Sequence, residues 1–256
     1  MGNRIFYIAA NTFRETVRNK ILYAILAFAL LVIGLSYFLA DLSVGDLARI
    51  IADTGLACIH IFGVITAVFL GITLVSHEVE RKTVYLILSR PVPRWEFILG
   101  KAAGLSGTLF LTTLIMALML FFVHAGFQGT PDVGIFVASA GIYMELVLLT
   151  CLASFFSSFT TPVLSAIFTL SMFFIGHVSK DLLVFGSRSA SGLVRAASTV
   201  LFYLLPNLES FNWKNDVVYG GARSGVVIAL GGGYLLSYCA AILLLACLIF
   251  SRKDLK

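Results

Sequence analysis

Charged residues are scarce in this sequence. Asp, Glu, Lys and Arg make up 12% of the 256 residues, whereas hydrophobic residues make up 59%. Several long runs contain no charge, and about 20 consecutive apolar residues suffice for a helix that crosses a bilayer. This composition excludes a soluble globular domain and predicts an all-α integral membrane protein.

Cysteine is also rare, and no arrangement of side chains is typical of an enzyme or a metal site. The four cysteines lie inside apolar runs without the spacing of metal ligands, so we interpret them as packing residues. The stretch "HEVER" (His77–Arg81) begins like a zinc-protease motif, but Arg81 stands where the second histidine is needed. We therefore predict no catalytic residue, no metal ligand and no cofactor in this chain.

The uncharged runs predict six transmembrane helices within one domain, residues 1–256. The turn-forming stretch "SSFTTP" (Ser157–Pro162) divides a run that is too long for a single crossing into two spans. The predicted spans are about 21–40, 55–76, 102–124, 134–156, 162–178 and 225–250.

Basic residues are distributed unequally between the two sides that six spans define. Twelve of the 18 Lys and Arg residues lie on the side of the two termini, and six lie on the other side. Positive charge is enriched in cytoplasmic loops, so we predict that both termini and the loop between the second and third spans are cytoplasmic. The net charge of +5 is therefore a topology signal, and no basic surface domain indicates nucleic-acid binding.

Two segments outside the spans have an apolar face. In residues 1–20, apolar side chains recur at helical spacing among basic and polar ones, which predicts an N-terminal helix in the cytoplasmic membrane interface. On the outer side, Gly192–Leu205 is too short to cross the bilayer and too apolar to remain in water. We predict re-entrant or interfacial helices there, between the fifth and sixth spans and in contact with membrane lipid.

Eight charged residues are concentrated between His77 and Lys101. Near the bilayer centre each would cost about 2.5–3.5 kcal/mol, so this loop must lie outside the membrane. Apolar residues alternate with the charges, and Pro91 and Pro93 interrupt the helical pattern before Trp95. The pattern predicts a short cytoplasmic helix held close to the membrane. Such a helix is either an inert topology signal or an element that docks into a soluble partner and transmits movement.

Motifs in three places resemble one family of transporters. The charged loop contains Glu78-x-Glu80-x-x-Thr83, then Leu88-Ser89-x-Pro91-Val92-x-Arg94, then Gly100-Lys101. Before the first span stands "RETVRNK" (Arg14–Lys20), and before the last span stands "LLPNLESFN" (Leu204–Asn212). Over its whole length the chain resembles the type-2 ABC-transporter permeases, most closely the branch with permeases of copper-maturation, sodium-efflux and gliding-motility transporters.

The resemblance implies two kinds of subunit, a membrane permease and a separate ATPase that binds it. The charged loop is similar to the coupling helix that seats in a separate ATPase subunit, and residues 1–20 are similar to the family's elbow helix. Gly192–Trp213 is similar to its outer re-entrant helices. The implied contacts to the ATPase are Glu78, Glu80, Arg81, Thr83 and Arg94.

The resemblance also implies how the complex works. The chain has no Walker phosphate-binding loop, so ATP and Mg²⁺ would be bound by the partner and the chain itself would not be an enzyme. The family organisation implies two ATPase subunits and a second permease copy, and thus a homodimer, in a bacterial or archaeal plasma membrane. We expect a permease subunit of an ATP-driven ABC exporter.

Glu145 and His60 are the candidate pathway residues within the spans. A carboxyl group inside a span suggests function, and we hypothesise that Glu145 faces the bundle interior; the alternative is a position near the outer end of its span. His60 is either a hydrogen-bonded packing residue or a substrate contact. Two other functions stay open: an ion-coupled secondary transporter that uses Glu145 and His60, and a non-transporting membrane scaffold.

Overall fold

All regular structure in the described residues is helical, as the composition predicts. The computed structural model describes residues 2–41, 47–80, 93–128, 132–189, 191–215 and 225–252. The helices are α1 (Gly2–Val17), α2 (Lys20–Asp41), α3 (Leu47–Glu80), α4 (Arg94–Gln128), α5 (Gly134–Ser157), α6 (Pro162–Arg188), α7 (Gly192–Leu204), a 3-10 helix (Leu208–Phe211) and α8 (Gly225–Arg252).

Five of these helices are long and apolar enough to cross a membrane, namely α3, α4, α5, α6 and α8. Helices α1 and α2 satisfy the same requirement as a pair, Arg4–Val17 with Lys20–Ser36, with a bend of 62° between them. At the bend, the side-chain oxygen of Asn19 accepts the backbone N–H of Ile21 at 3.0 Å and caps the start of α2. The chain is therefore a multi-pass membrane protein, and its described residues contain five candidate spans, or six when the bent pair is counted as one.

Helices α3 and α5 form the centre of the bundle. In their apolar stretches 67% of the residues are buried, compared with 22% in α6 and α8. Polar side chains in the centre bond to their own helix: Thr150 donates to the carbonyl of Leu146 at 2.9 Å, and Ser154 donates to that of Thr150 at 2.7 Å. Such bonds satisfy hydroxyl groups where no water is available. The outer helices α6 and α8 leave most of their apolar surface uncovered by the rest of this chain.

Helices α3 and α6 extend beyond the uncharged runs that predict their spans. Helix α3 begins at Leu47, whereas the predicted span begins at about residue 55, and α6 continues to Arg188, beyond the predicted end at 178. Arg49 and Asp53 interrupt the first run, and a Lys–Asp pair interrupts the second. A charged side chain ends an uncharged run but not a helix, because it can extend towards water while the backbone hydrogen bonds continue.

Helix α1 lies against the beginning of α4 at glycine positions. A Cβ atom added at Gly104 would meet the carbonyl oxygen of Ala9 at 2.6 Å and Cβ of Thr12 at 2.7 Å. One added at Gly100 would meet Cβ of Ile8 at 2.8 Å. Helix backbones approach each other this closely only where one of them lacks a side chain. These glycines therefore set the distance between α1 and α4.

We predict that Gly104→Ala lowers the thermal stability of the chain in detergent, although alanine favours helix formation. The added methyl group overlaps backbone atoms of α1, and overpacking of this kind costs about 1–3 kcal/mol. Gly126→Ala in the same helix is the matched control, because a Cβ there meets nothing within 4 Å. The control should leave the melting temperature unchanged or slightly higher. Equal melting temperatures for the two variants would contradict the close α1–α4 contact.

Candidate functional site

Glu145 lies in the middle of α5 and is 1% exposed. The sequence predicts a carboxyl group facing the bundle interior, and the structure places the side chain there, away from the ends of the helix. A buried carboxylate requires hydrogen-bonding or cationic partners, because its desolvation is otherwise too costly. The residues around Glu145 therefore define the candidate site.

Three side chains from other parts of the chain are joined to Glu145. Oε1 of Glu145 lies 2.9 Å from Nε2 of His60 in α3 and 3.5 Å from Nε2 of His177 in α6. The other ring nitrogen of His60, Nδ1, lies 2.7 Å from Nζ of Lys214. We call His60, Glu145, His177 and Lys214 the Glu145 network. It links three spanning helices to a residue that belongs to none of them.

The partners of the two imidazoles place their hydrogens on different nitrogens. As an ammonium, Lys214 donates to Nδ1 of His60, and in that arrangement Nε2 of His60 carries the hydrogen donated to Glu145. In His177, Nδ1 donates to the carbonyl oxygen of Phe173 at 3.0 Å. Nε2 of a neutral His177 is then a lone pair facing Glu145, and the 3.5 Å separation is long for an N–H···O bond. Glu145 thus accepts one short bond from His60 and faces Nε2 of His177, which carries no hydrogen in the neutral ring.

The network lies at one level of the bundle. His60, Glu145 and His177 are each about three turns from one end of their helices, at Leu47, Gly134 and Arg188 respectively. The ring of Phe173 packs against both imidazoles, with centroids 5.5 Å from His60 and 4.6 Å from His177. An apolar ring on one side excludes water and strengthens the ionic interactions inside.

The segment that supplies Lys214, residues 205–215, is inserted against three spanning helices. Its backbone is fixed by side chains of α8: the N–H of Asn207 donates to the hydroxyl of Tyr234 at 2.9 Å. It also contacts α6 and α5 at glycines, because a Cβ at Gly176 would meet the carbonyl oxygen of Pro206 at 2.9 Å. One at Gly141 would meet that of Phe211 at 2.5 Å. These close contacts hold the 205–215 segment at the depth from which Lys214 reaches His60.

Lys214 is partly buried, and its surroundings shift its titration. Burial lowers the pKa of the Lys214 ammonium below its ordinary value, and the negative charges of Glu145, Glu209 and Asp53 act in the opposite direction. An ammonium on Lys214 and a carboxylate on Glu145 compensate each other's charge across the ring of His60. The network as a whole carries no net charge when both imidazoles are neutral.

Three of the five residues predicted to contact an ATPase lie at the far end of α3 and the start of α4. Glu78 and Glu80 belong to the last turns of α3, and Arg94 is the first residue of α4. Arg81 and Thr83 lie outside the described residues. Their role as contacts stays a prediction.

Sequence reasoning found two members of the network and missed two. The charge pattern does not indicate His177, because a neutral histidine near the end of an uncharged run does not interrupt that run. Lys214 was counted only as one of the basic residues of an outer segment. A usable signal existed for His177, since it is a polar side chain in an apolar helix at a depth that matches Glu145. For Lys214 no signal in the sequence indicates that the segment is inserted among the spans.

The fold and the site together define a class of protein. The chain is a multi-pass helical membrane protein. Its interior contains an ionic network in which the non-spanning 205–215 segment supplies Lys214. The family described as "ABC-2 family transporter protein" matches residues 6–255, and the chain belongs to this family. This match confirms the resemblance to type-2 ABC permeases, which are membrane subunits without an ATPase of their own. None of the curated proteins compared with the chain matches it.

We predict that Glu145→Gln and Lys214→Met each lower thermal stability in metal-free detergent buffer, and that the double variant loses less than the sum. Each single change leaves one partly buried charge uncompensated, whereas the double change leaves none. The coupling between the two sites should be about 0.5–3 kcal/mol in a double-mutant cycle. Lys180→Met, at an exposed lysine of α6, is the control and should have little effect. Additive losses would show that Glu145 and Lys214 do not interact.

Proposed function

We propose that the chain is the membrane subunit of an ATP-driven exporter and that a separate ATPase subunit moves it through the loop between α3 and α4. The observation that carries this proposal is the length of the two helices. Helices α3 and α4 contain 34 and 35 residues, whereas about 20 residues cross the hydrocarbon core. At 1.5 Å per residue each helix is about 50 Å long. Two long helices joined by a charged loop can carry a force from outside the membrane into the bundle.

Helix α3 connects the charged loop to the Glu145 network. Its last turns contain Glu78 and Glu80, which would contact the ATPase together with Arg81, Thr83 and Arg94. Its middle contains His60, which donates to Glu145. Because a helix is stiff along its axis, displacement at the loop end would be transmitted to the His60–Glu145 contact.

The partners follow from the family. Two ATPase subunits would bind ATP and Mg²⁺, and a second copy of this chain would complete the transporter as a homodimer. The apolar faces of α6 and α8 that this chain leaves uncovered would meet lipid or the second copy. Such complexes would reside in a bacterial or archaeal plasma membrane, with both termini and the charged loop in the cytoplasm.

The Glu145 network gives specific support to a second candidate function, an ion-coupled secondary transporter. Glu145 and His60 lie in the spans, are buried and form a direct hydrogen bond, which is the kind of arrangement that proton-coupled transporters use. Family membership favours the ATP-driven reading, because members depend on another subunit for energy. The exporter requires a nucleotide-hydrolysing subunit at the charged loop, whereas the secondary transporter does not. A non-transporting scaffold would bind such a subunit, but ATP hydrolysis would not be coupled to transport.

We predict that the chain, purified from its native membrane, carries an ATPase subunit with it and that Glu78→Lys combined with Arg94→Glu reduces this by about tenfold or more. Reversing two contact charges replaces attraction by repulsion at the docking surface. The measurement is the amount of ATPase retained per chain, together with ATP hydrolysis by the purified complex. Arg195→Glu, a charge change in α7, is the control and should leave both values unchanged.

Each outcome of this experiment separates the functions. An ATPase bound to the wild-type chain but lost from the double variant supports docking at the loop. A wild-type chain that carries no ATPase contradicts the proposed function and leaves the ion-coupled transporter. Full ATPase binding by the double variant contradicts the docking site, and bound ATPase whose turnover does not respond to the chain indicates a scaffold.

A further inference from the structure

His60, Glu145 and His177 each direct a metal-ligating atom towards a common point. The three donor atoms all lie within 4.8 Å of one another, and the side chains are buried or half-buried. We propose that these residues form a binding site for a divalent transition-metal ion of the Zn²⁺ class, and that the ammonium of Lys214 supplies the compensating positive charge when no metal is bound. The sequence alone predicts no metal site, because its ligands come from three different helices.

The separations between the donor atoms suit a tetrahedral ion. Bonds of about 2.0–2.1 Å at tetrahedral angles put neighbouring ligand atoms roughly 3.3 Å apart. The distances from Oε1 of Glu145 are 2.9 Å to Nε2 of His60 and 3.5 Å to Nε2 of His177. The two imidazole nitrogens lie within 4.8 Å of each other, so two of the three separations are already close to this spacing and the rings have only to turn towards a common ion.

His177 is already oriented as a metal ligand. A ligating histidine normally donates its other ring N–H to a carbonyl or carboxylate, which fixes the tautomer and the direction of the lone pair. His177 donates Nδ1–H to the carbonyl of Phe173 at 3.0 Å, so its Nε2 lone pair faces Glu145. In the metal-free network this lone pair faces the oxygen of a carboxylate, an arrangement that a cation between the two atoms would stabilise.

His60 is held in the opposite state by Lys214. The ammonium donates to Nδ1, and the hydrogen on Nε2 occupies the direction in which the lone pair would have to point. Metal binding requires the hydrogen of His60 to leave Nε2 and appear on Nδ1, with Lys214 withdrawn. The ring stays neutral in this exchange, and the metal charge beside Glu145 takes over the compensation that the ammonium gives from across the ring. Lys214 and the metal therefore occupy opposite sides of His60 and compete through its tautomer and through charge.

The donor set selects the class of metal. Two imidazoles and one carboxylate suit Zn²⁺ and its neighbours in the first transition row, whereas Ca²⁺ and Mg²⁺ prefer oxygen ligands only. Three protein ligands leave a fourth position of the tetrahedron for water. One carboxylate against a divalent ion leaves a net positive charge, which disfavours a Lys214 ammonium at the same time.

The competition makes the proposal testable with purified chain in lipid nanodiscs, stripped with a chelator and titrated with Zn²⁺ or Co²⁺. We expect one ion per chain and the intense visible absorption of tetrahedral Co²⁺. Lys214→Met should tighten binding by about tenfold or more, because it removes the competing charge. His177→Gln should weaken binding by more than the roughly 10–100-fold that outer-shell partners contribute.

The control is His124→Gln, which alters a buried histidine of α4 that does not belong to the cluster and should leave binding unchanged. A gain of affinity in Lys214→Met cannot result from misfolding, so the test does not depend on a loss alone. The proposal is overturned if neither the wild type nor Lys214→Met binds Zn²⁺, if Lys214→Met binds no more tightly, or if His177→Gln binds as the wild type does. None of these outcomes depends on whether an ATPase binds the chain.

Discussion

The structure depends on the burial of one carboxylate in the middle of a membrane bundle. Glu145 is 1% exposed, and an isolated charge at that depth would destabilise the fold severely. Its partners come from α3, from α6 and, through His60, from the 205–215 segment. The need to compensate a single charge thus connects elements that are far apart in the sequence, in addition to the close glycine contacts that position them.

The network and the charged loop lie at different levels of the same helix. On the proposed account α3 receives force near Glu78 and Glu80 and changes the position of His60. Since His60 bridges Glu145 and Lys214, its displacement would break or remake the contact that holds the 205–215 segment among the spans. Displacement of the charged loop by the ATPase would in this way move the 205–215 segment, which lies towards the opposite side of the bundle. The two stable states that such transitions require would be the two charge-compensated states of Glu145, one with the Lys214 ammonium and one with a metal ion.

Much of the architecture was predictable because it follows from composition. Uncharged runs mark apolar helices reliably, and three short motifs were enough to recognise the family that matches residues 6–255. Helix ends were less predictable: Arg49 and Asp53 interrupt the apolar run but not α3. The site was half predictable. Glu145 and His60 are identifiable in the sequence as polar residues in apolar runs. Lys214 joins the network only because its segment packs against Gly141 and Gly176, and that packing is visible only in the structure.

The central claim is that Lys214, His60 and Glu145 form one directed chain of hydrogen bonds, with His177 in the opposite tautomer. The most direct test is ¹⁵N solid-state NMR of the histidine-labelled chain in lipid, with the four histidines assigned by single substitution. The account predicts an unprotonated Nδ1 and a protonated Nε2 for His60, and a protonated Nδ1 for His177. A hydrogen on Nδ1 of His60 in the metal-free chain would contradict it, because Lys214 could not then donate to that atom.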